Sequence, residues 1–128
     1  MKSIILTKKL QEGEKLYKSL KSFDEGFALL PCLTMDKVRQ LGAELKDCEY
    51  IFSTWYMPEL TEEEISKYFP SLKCVFYAAG TVKSFARPFL TKSVRVFTAA
   101  RANGIPVAEF TASQIVLAGK GYFQAQRA

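Results

Sequence analysis

The clearest sign of the fold class is the stretch Leu72-Lys73-Cys74-Val75-Phe76-Tyr77-Ala78-Ala79-Gly80-Thr81. A continuous apolar run of this kind is typical of a β-strand covered on both faces, as in a parallel sheet. The small residues that follow let the backbone approach a ligand. This stretch therefore predicts a strand that ends in a turn at the carboxyl edge of a sheet, where α/β proteins bind their ligands.

Similar apolar runs recur along the chain and alternate with amphipathic segments. The predicted strands are residues 3–6, 26–30, 50–54, 74–78 and 94–98, and the predicted helices are residues 10–20, 34–45, 61–69 and 85–90. Thr61 and Glu64 have the spacing of a capping box at the start of the third helix. The pattern predicts an α/β domain with a five-stranded parallel sheet and helices on both faces.

The sequence pattern of residues 105–127 predicts a long final helix. Pro106 lies near its first turn, where proline is tolerated. Its apolar residues cover more than one face, which a helix on the surface of a finished domain does not need. We therefore expect a second copy of the chain or a missing domain to cover it. The first possibility predicts a homodimer through the helix 105–128.

Composition excludes several classes of function. The 128 residues include no histidine, the side chain most used for acid–base catalysis near neutral pH and the commonest metal ligand. Three cysteines without a Cys-x-x-Cys pair predict small buried thiols rather than disulfides or a metal site. The net charge of +5 is scattered, so we expect no nucleic-acid partner. No apolar run is long enough for a membrane span, and the start does not resemble a signal peptide, so we expect a soluble, cytoplasmic protein.

The turn at Ala79, Gly80 and Thr81 has two interpretations. Consecutive backbone N–H groups after a strand can form an anion-binding nest. The same residues can equally form an ordinary strand-to-helix turn.

A longer pattern resembles the D-isomer-specific 2-hydroxyacid dehydrogenase family. It consists of the strand and glycine turn at 72–80, the strand at 94–97, and Asn103 followed by Val107-Ala108-Glu109 at the opening of a long helix. The resemblance implies a flavodoxin-like substrate-binding domain at residues 1–104. The helix 105–128 would then lead into a nicotinamide-binding domain that this sequence lacks. It also implies that a small 2-hydroxy or 2-keto acid is bound by Thr54, Trp55, Ala79, Gly80 and Thr81.

The resemblance further implies that the chain is part of an oxidoreductase but does not catalyse the reaction alone. The family's catalytic arginine, glutamate and histidine, and its Gly-x-Gly-x-x-Gly loop, would all follow residue 128. We therefore expect no catalytic residue in this chain and no bound cofactor, with NAD or NADP serving the intact enzyme. Val82-Lys83 and Ala100-Arg101 depart from the family's pattern. Lys83 and Arg101 are either solvated surface residues or added positive charge for an acidic substrate.

The main alternative is a freestanding flavodoxin-like module that binds a ligand without catalysis. A phospho-acceptor receiver would need carboxylates after the first and third strands to hold a divalent ion. Those positions read Leu6-Thr7-Lys8 and Ser53-Thr54-Trp55. A flavin-binding version would need a phosphate loop rich in glycine and hydroxyl groups after the first strand, and Thr7-Lys8-Lys9-Leu10 is not one. A metabolite-sensing module is still compatible with the sequence.

Overall fold

The computed structural model describes residues 1–27 and 29–128, and it contains a five-stranded sheet. Every pair of neighbouring strands is parallel, and the strand order is β2-β1-β3-β4-β5. This is the flavodoxin-like order of a doubly wound sheet. The strands are β1 (Ser3–Leu6), β2 (Cys32–Leu33), β3 (Tyr50–Ser53), β4 (Cys74–Tyr77) and β5 (Arg95–Thr98). The predicted fold class is confirmed.

Three short helices pack on one face of this sheet. They are α2 (Met35–Leu41, continued by a 3₁₀ turn at Gly42–Leu45), α3 (Glu62–Tyr68) and α4 (Ala86–Thr91). Ile4, Ile51, Val75 and Val96 lie side by side across four strands on that face. They share one hydrophobic core with the helices and with Phe69 directly after α3. The most buried helix side chains in that core include Val38, Ile65, Ala86 and Phe89.

The predicted capping box of α3 is confirmed. The Thr61 hydroxyl accepts a hydrogen bond from the Glu64 backbone N–H, and the Glu64 carboxylate accepts one from the Thr61 N–H. Both N–H groups would otherwise have no partner at the start of a helix.

The opposite face of the sheet carries a row of aromatic side chains and, among the described elements, one helix, α1 (Leu10–Phe23). α1 packs closely on β1 and β2, where Gly13 lies against Thr7 and Cys32. Phe52, Phe76 and Phe97 follow on the next three strands, with ring centroids 5.2 and 5.3 Å apart. Within residues 1–27 and 29–128, no helix covers Phe97, so the expected helical cover on this face is incomplete.

The prediction of a strand at 26–30 is wrong. Glu25–Phe27 form a 3₁₀ turn, in which the Asp24 carboxylate accepts the Gly26 N–H at 2.7 Å, and Ala28 lies outside the described residues. The strand begins later because β1 pairs with the chain beyond this turn. The Ile5 N–H donates to the Pro31 carbonyl and the Thr7 N–H to the Leu33 carbonyl. The Phe27 ring packs edge-on against Phe52 instead of entering the sheet.

The long final helix is present, but its predicted start at residue 105 is wrong. α5 (Ala100–Gly119) begins directly after β5, because the Asn103 N–H already bonds to the Ala99 carbonyl. Pro106 therefore lies in the helix interior, where it lacks the N–H that the Ala102 carbonyl would accept. Gly121, in the left-handed region with φ 72°, separates α5 from α6 (Tyr122–Arg127). Among the described helices, none is long and apolar enough to cross a membrane.

The cysteines are free thiols. Cys48 and Cys74 are buried as predicted, whereas Cys32 is partly exposed. Burial raises the pKa of the Cys48 thiol from 9.0 to about 11. Because the folded pKa lies above the unfolded value, the protonated Cys48 stabilises the folded state below about pH 9. That contribution is lost as the pH rises through about 11.

We expect the free energy of unfolding to fall by about 1 kcal/mol between pH 8 and pH 10 because of this thiol. Urea denaturation of the wild type and of Cys48→Ala at both pH values measures the effect. The substitution removes the titrating group, so the stability difference between the two proteins should shrink as the pH rises. A difference that stays constant would contradict the prediction.

Candidate functional site

A cleft of about 220 Å³ opens at the carboxyl edge of the sheet, where β3, β4 and β5 end. Three elements contribute to its walls: the loop after β3, the turn after β4 and the first turn of α5. The lining residues are Trp55, Tyr77, Ala79, Gly80, Thr81 and Asn103. The cleft therefore brings together four of the five residues that the sequence predicts to bind substrate.

The turn at 79–81 is held in place through its carbonyl groups. The Ala78 N–H donates to the Ser53 carbonyl, which continues the pairing of β4 with β3. The Thr98 hydroxyl at the end of β5 then lies within hydrogen-bonding distance of the carbonyls of both Ala79 and Gly80. Hydrogen bonds to the neighbouring strands thus hold the turn without using the N–H groups of Ala79, Gly80 and Thr81.

The N–H groups of this turn are unpaired. Within the part of the chain that the structure describes, those of Ala79, Gly80 and Thr81 donate no hydrogen bond. Ala79 is nevertheless 2% exposed, and a backbone N–H without a partner in a sheltered position costs free energy. These N–H groups are therefore available to an acceptor bound at the cleft.

Gly80 and Asn103 face each other closely. A Cβ atom added at Gly80 would lie 3.2 Å from the Asn103 side-chain nitrogen, tighter than an ordinary contact. Glycine at position 80 therefore keeps the cleft open next to an amide that can donate hydrogen bonds.

The end of β3 and the loop after it are hydrogen-bonded to the end of β1 and the residues that follow it. The Ser53 hydroxyl donates to the Leu6 carbonyl at 2.6 Å, and the Lys8 N–H donates to the Tyr56 carbonyl at 2.8 Å. Tyr56 has a left-handed backbone with φ 70°, and the Lys9 ammonium group lies 4.0 Å from the centre of its ring. This arrangement leaves the Trp55 side chain 60% exposed beside the cleft.

Thr54 lies apart from the other predicted residues. It lines a neighbouring groove with Glu12, Lys15 and Ser19 of α1 and with Ala78, the residue before the glycine turn. Lys83 and Arg101 do not line the cleft. Both are exposed, and neither makes an ion pair with any described residue.

Sequence reasoning did not identify Tyr77 and Asn103 as site residues. Asn103 was part of the family-like pattern, which placed it between the strand at 94–97 and the opening of the long helix. It lies instead in the first turn of α5, which aims it at the glycine turn. Tyr77 is the last residue of β4, and an aromatic residue inside an apolar run gives no sign of a binding role.

The described residues include no group of three or more His, Cys, Asp or Glu side chains that could hold a metal ion. In comparisons with protein-family models and with curated proteins, the sequence matches none.

Proposed function

We propose that this chain is the substrate-binding domain of a cytoplasmic D-2-hydroxyacid dehydrogenase and binds a small 2-hydroxy or 2-keto acid. The observation that carries the proposal is the unpaired backbone at Ala79, Gly80 and Thr81, located in a cleft beside Asn103. Hydrogen bonds to a charged acceptor are about twice as strong as neutral ones, so a carboxylate is a suitable ligand for these donors.

Each part of the ligand has a matching group in the cleft. The carboxylate accepts hydrogen bonds from the N–H groups of the turn, and the neighbouring 2-oxygen accepts one from the Asn103 amide. Trp55 provides an apolar wall against the ligand's side chain. The cleft volume of about 220 Å³ restricts the ligand to a few carbon atoms.

Oxidation of a 2-hydroxy acid also needs a hydride acceptor and a base. NAD or NADP would accept the hydride in such an enzyme. The 128 residues contain neither a histidine nor a Gly-x-Gly-x-x-Gly loop, so they do not fit a dinucleotide by themselves. We therefore assign binding and orientation of the acid to this chain and assign it no step of the hydride transfer.

The single tryptophan makes the proposal testable by fluorescence, because Trp55 lines the cleft. Titration with pyruvate should change the Trp55 emission and reach saturation in the millimolar range. Propionate has the same length but no 2-oxygen, so it should bind more weakly, by about threefold to tenfold, the worth of one hydrogen bond. Equal binding of the two acids would favour the alternative, a module that binds anions without recognising a 2-hydroxy acid. Absence of saturable binding would contradict both.

A further inference from the structure

The last residue of β5 supplies a hydroxyl group to the glycine turn that follows β4. The Thr98 Oγ1 atom lies 2.9 Å from the Ala79 carbonyl oxygen and 2.5 Å from the Gly80 carbonyl oxygen. A hydroxyl has a single proton, so this group donates to one of the two carbonyls or shares its proton between them. Thr98 does not itself line the cleft. Any effect of its hydroxyl on a bound ligand therefore passes through the turn.

This hydroxyl takes the place of a backbone donor that the sheet no longer provides. The last bond between β4 and β5 runs from the Ala99 N–H to the Tyr77 carbonyl. Bonds between parallel strands are evenly spaced, so the next one would join the Arg101 N–H to the Ala79 carbonyl. Arg101 already lies in the first turn of α5, and among the described residues this bond is not made. The Thr98 side chain serves the Ala79 carbonyl instead.

The direction of these two carbonyls sets the direction of two donors in the turn. In a planar trans peptide unit, the C=O and N–H bonds point in opposite directions. The Ala79 carbonyl shares its unit with the Gly80 N–H, and the Gly80 carbonyl shares its unit with the Thr81 N–H. Both N–H groups therefore point away from Thr98, and both residues line the cleft. A hydrogen bond to the carbonyl also polarises the unit, which strengthens its N–H as a donor.

We propose that Thr98 is a positioning residue for ligand binding: its hydroxyl holds the Gly80 and Thr81 N–H groups in the direction in which they bind a carboxylate. This inference rests on the proposed function. Glycine restricts the backbone less than any other residue, so a turn through Gly80 needs an external bond to keep one orientation. Donors that are fixed before the ligand arrives spare the complex the cost of ordering them.

Three substitutions at position 98 separate the hydroxyl from the shape of the side chain. Thr98→Val keeps the branched shape without the hydroxyl, Thr98→Ala removes both, and Thr98→Ser keeps the hydroxyl. In titrations with pyruvate followed by Trp55 emission, Thr98→Val and Thr98→Ala should raise the dissociation constant about tenfold. Thr98→Ser should stay within about threefold of the wild type. A side chain that only stabilises the fold would not give this recovery of affinity with serine.

Thr91→Val is the matched control for the loss of a threonine hydroxyl. The Thr91 hydroxyl also donates to a backbone carbonyl, that of Arg87 at 3.1 Å, but it lies on α4, which contributes no residue to the cleft. This variant should bind pyruvate as the wild type does. Urea denaturation of all the variants checks that each is folded under the conditions of the titration.

Nuclear magnetic resonance of the ligand-free ¹⁵N-labelled chain gives a second measurement, which does not depend on pyruvate. In Thr98→Val the amide signals of Gly80 and Thr81 should broaden or split, because the turn then samples more than one orientation. In Thr98→Ser they should remain single and sharp. Sharp, single signals in Thr98→Val would show that the turn is held without the hydroxyl and would overturn the proposal.

The titration distinguishes failure of this inference from failure of the proposed function. Pyruvate binding that Thr98→Val leaves unchanged would overturn the positioning role while the proposed function stands. The same holds if Thr98→Ser binds as weakly as Thr98→Val, because the shape of the side chain rather than its hydroxyl would then matter. A wild type without saturable binding would contradict the proposed function, and the role of Thr98 in binding would fall with it.

Discussion

Replacing Gly80 with valine is expected to weaken the binding of a 2-keto acid by about tenfold to a hundredfold, which corresponds to the loss of one charge-assisted hydrogen bond. The added Cβ would lie 3.2 Å from the Asn103 nitrogen, and the two methyl groups would occupy the cleft. Gly80 does not have a left-handed backbone, so valine should fit its conformation and leave the protein folded. Trp55 fluorescence measures the affinity, and thermal unfolding checks the fold.

The matched control for this variant is Thr81→Val. It places the same side chain one residue later and keeps the backbone N–H. The Thr81 hydroxyl accepts only a long bond of 3.4 Å from the Lys83 N–H within the described structure. If the turn recognises the ligand through its backbone N–H groups, Thr81→Val should bind a 2-keto acid nearly as tightly as the wild type does. If Thr81→Val weakened binding as much as Gly80→Val does, the hydroxyl rather than the backbone would be the binding group.

Gly13→Ala is expected to destabilise the fold by about 2 kcal/mol, because an added methyl group has no room in this close packing. A Cβ at this position would overlap the Cys32 sulfur and lie 2.9 Å from the Thr7 side chain. Alanine favours a helix by about 1 kcal/mol over glycine, which offsets part of the steric cost. Urea denaturation measures the net loss.

Two variants separate the packing of Gly13 from the general effect of alanine in a helix. Gly104 lies in α5 with no atom within 4 Å of an added Cβ, so Gly104→Ala should stabilise the protein or leave it unchanged. Cys32→Ala removes the overlapping sulfur and should restore part of the stability when combined with Gly13→Ala. A Gly13→Ala variant as stable as the wild type would show that α1 lies farther from β1 and β2.

The sequence predicted four of the five strands to within one residue at each end, because continuous apolar runs mark the buried strands of a parallel sheet. β2 was misplaced for a physical reason. It is an edge strand of two residues, and Glu25–Phe27 before it form a 3₁₀ turn whose phenylalanine packs on the sheet. Local composition does not distinguish a residue within a sheet from one packed against it.

The predicted site residues came from the glycine turn after the fourth strand and from the family resemblance, which also implied Thr54 and Trp55. Ala79, Gly80 and Thr81 follow directly from the end of β4, and Trp55 follows from the end of the neighbouring β3. Whether Asn103 lies at the cleft depends on where α5 begins. Pro106 suggested a later start, but the Ala99 carbonyl already accepts a hydrogen bond from the Asn103 N–H and extends the helix toward β5. This is a local i→i−4 helical bond, and helix propensity alone does not reveal where the first such bond forms.

The most direct test of the binding site is a titration followed through the backbone amides. Nuclear magnetic resonance of the ¹⁵N-labelled chain with increasing pyruvate should show saturable shifts at Ala79, Gly80 and Thr81 and at the Asn103 side chain. The same fitted affinity should describe the change in Trp55 emission. Shifts confined to exposed lysines, or a glycine turn that does not respond, would contradict the account of this cleft as the site for a 2-hydroxy or 2-keto acid.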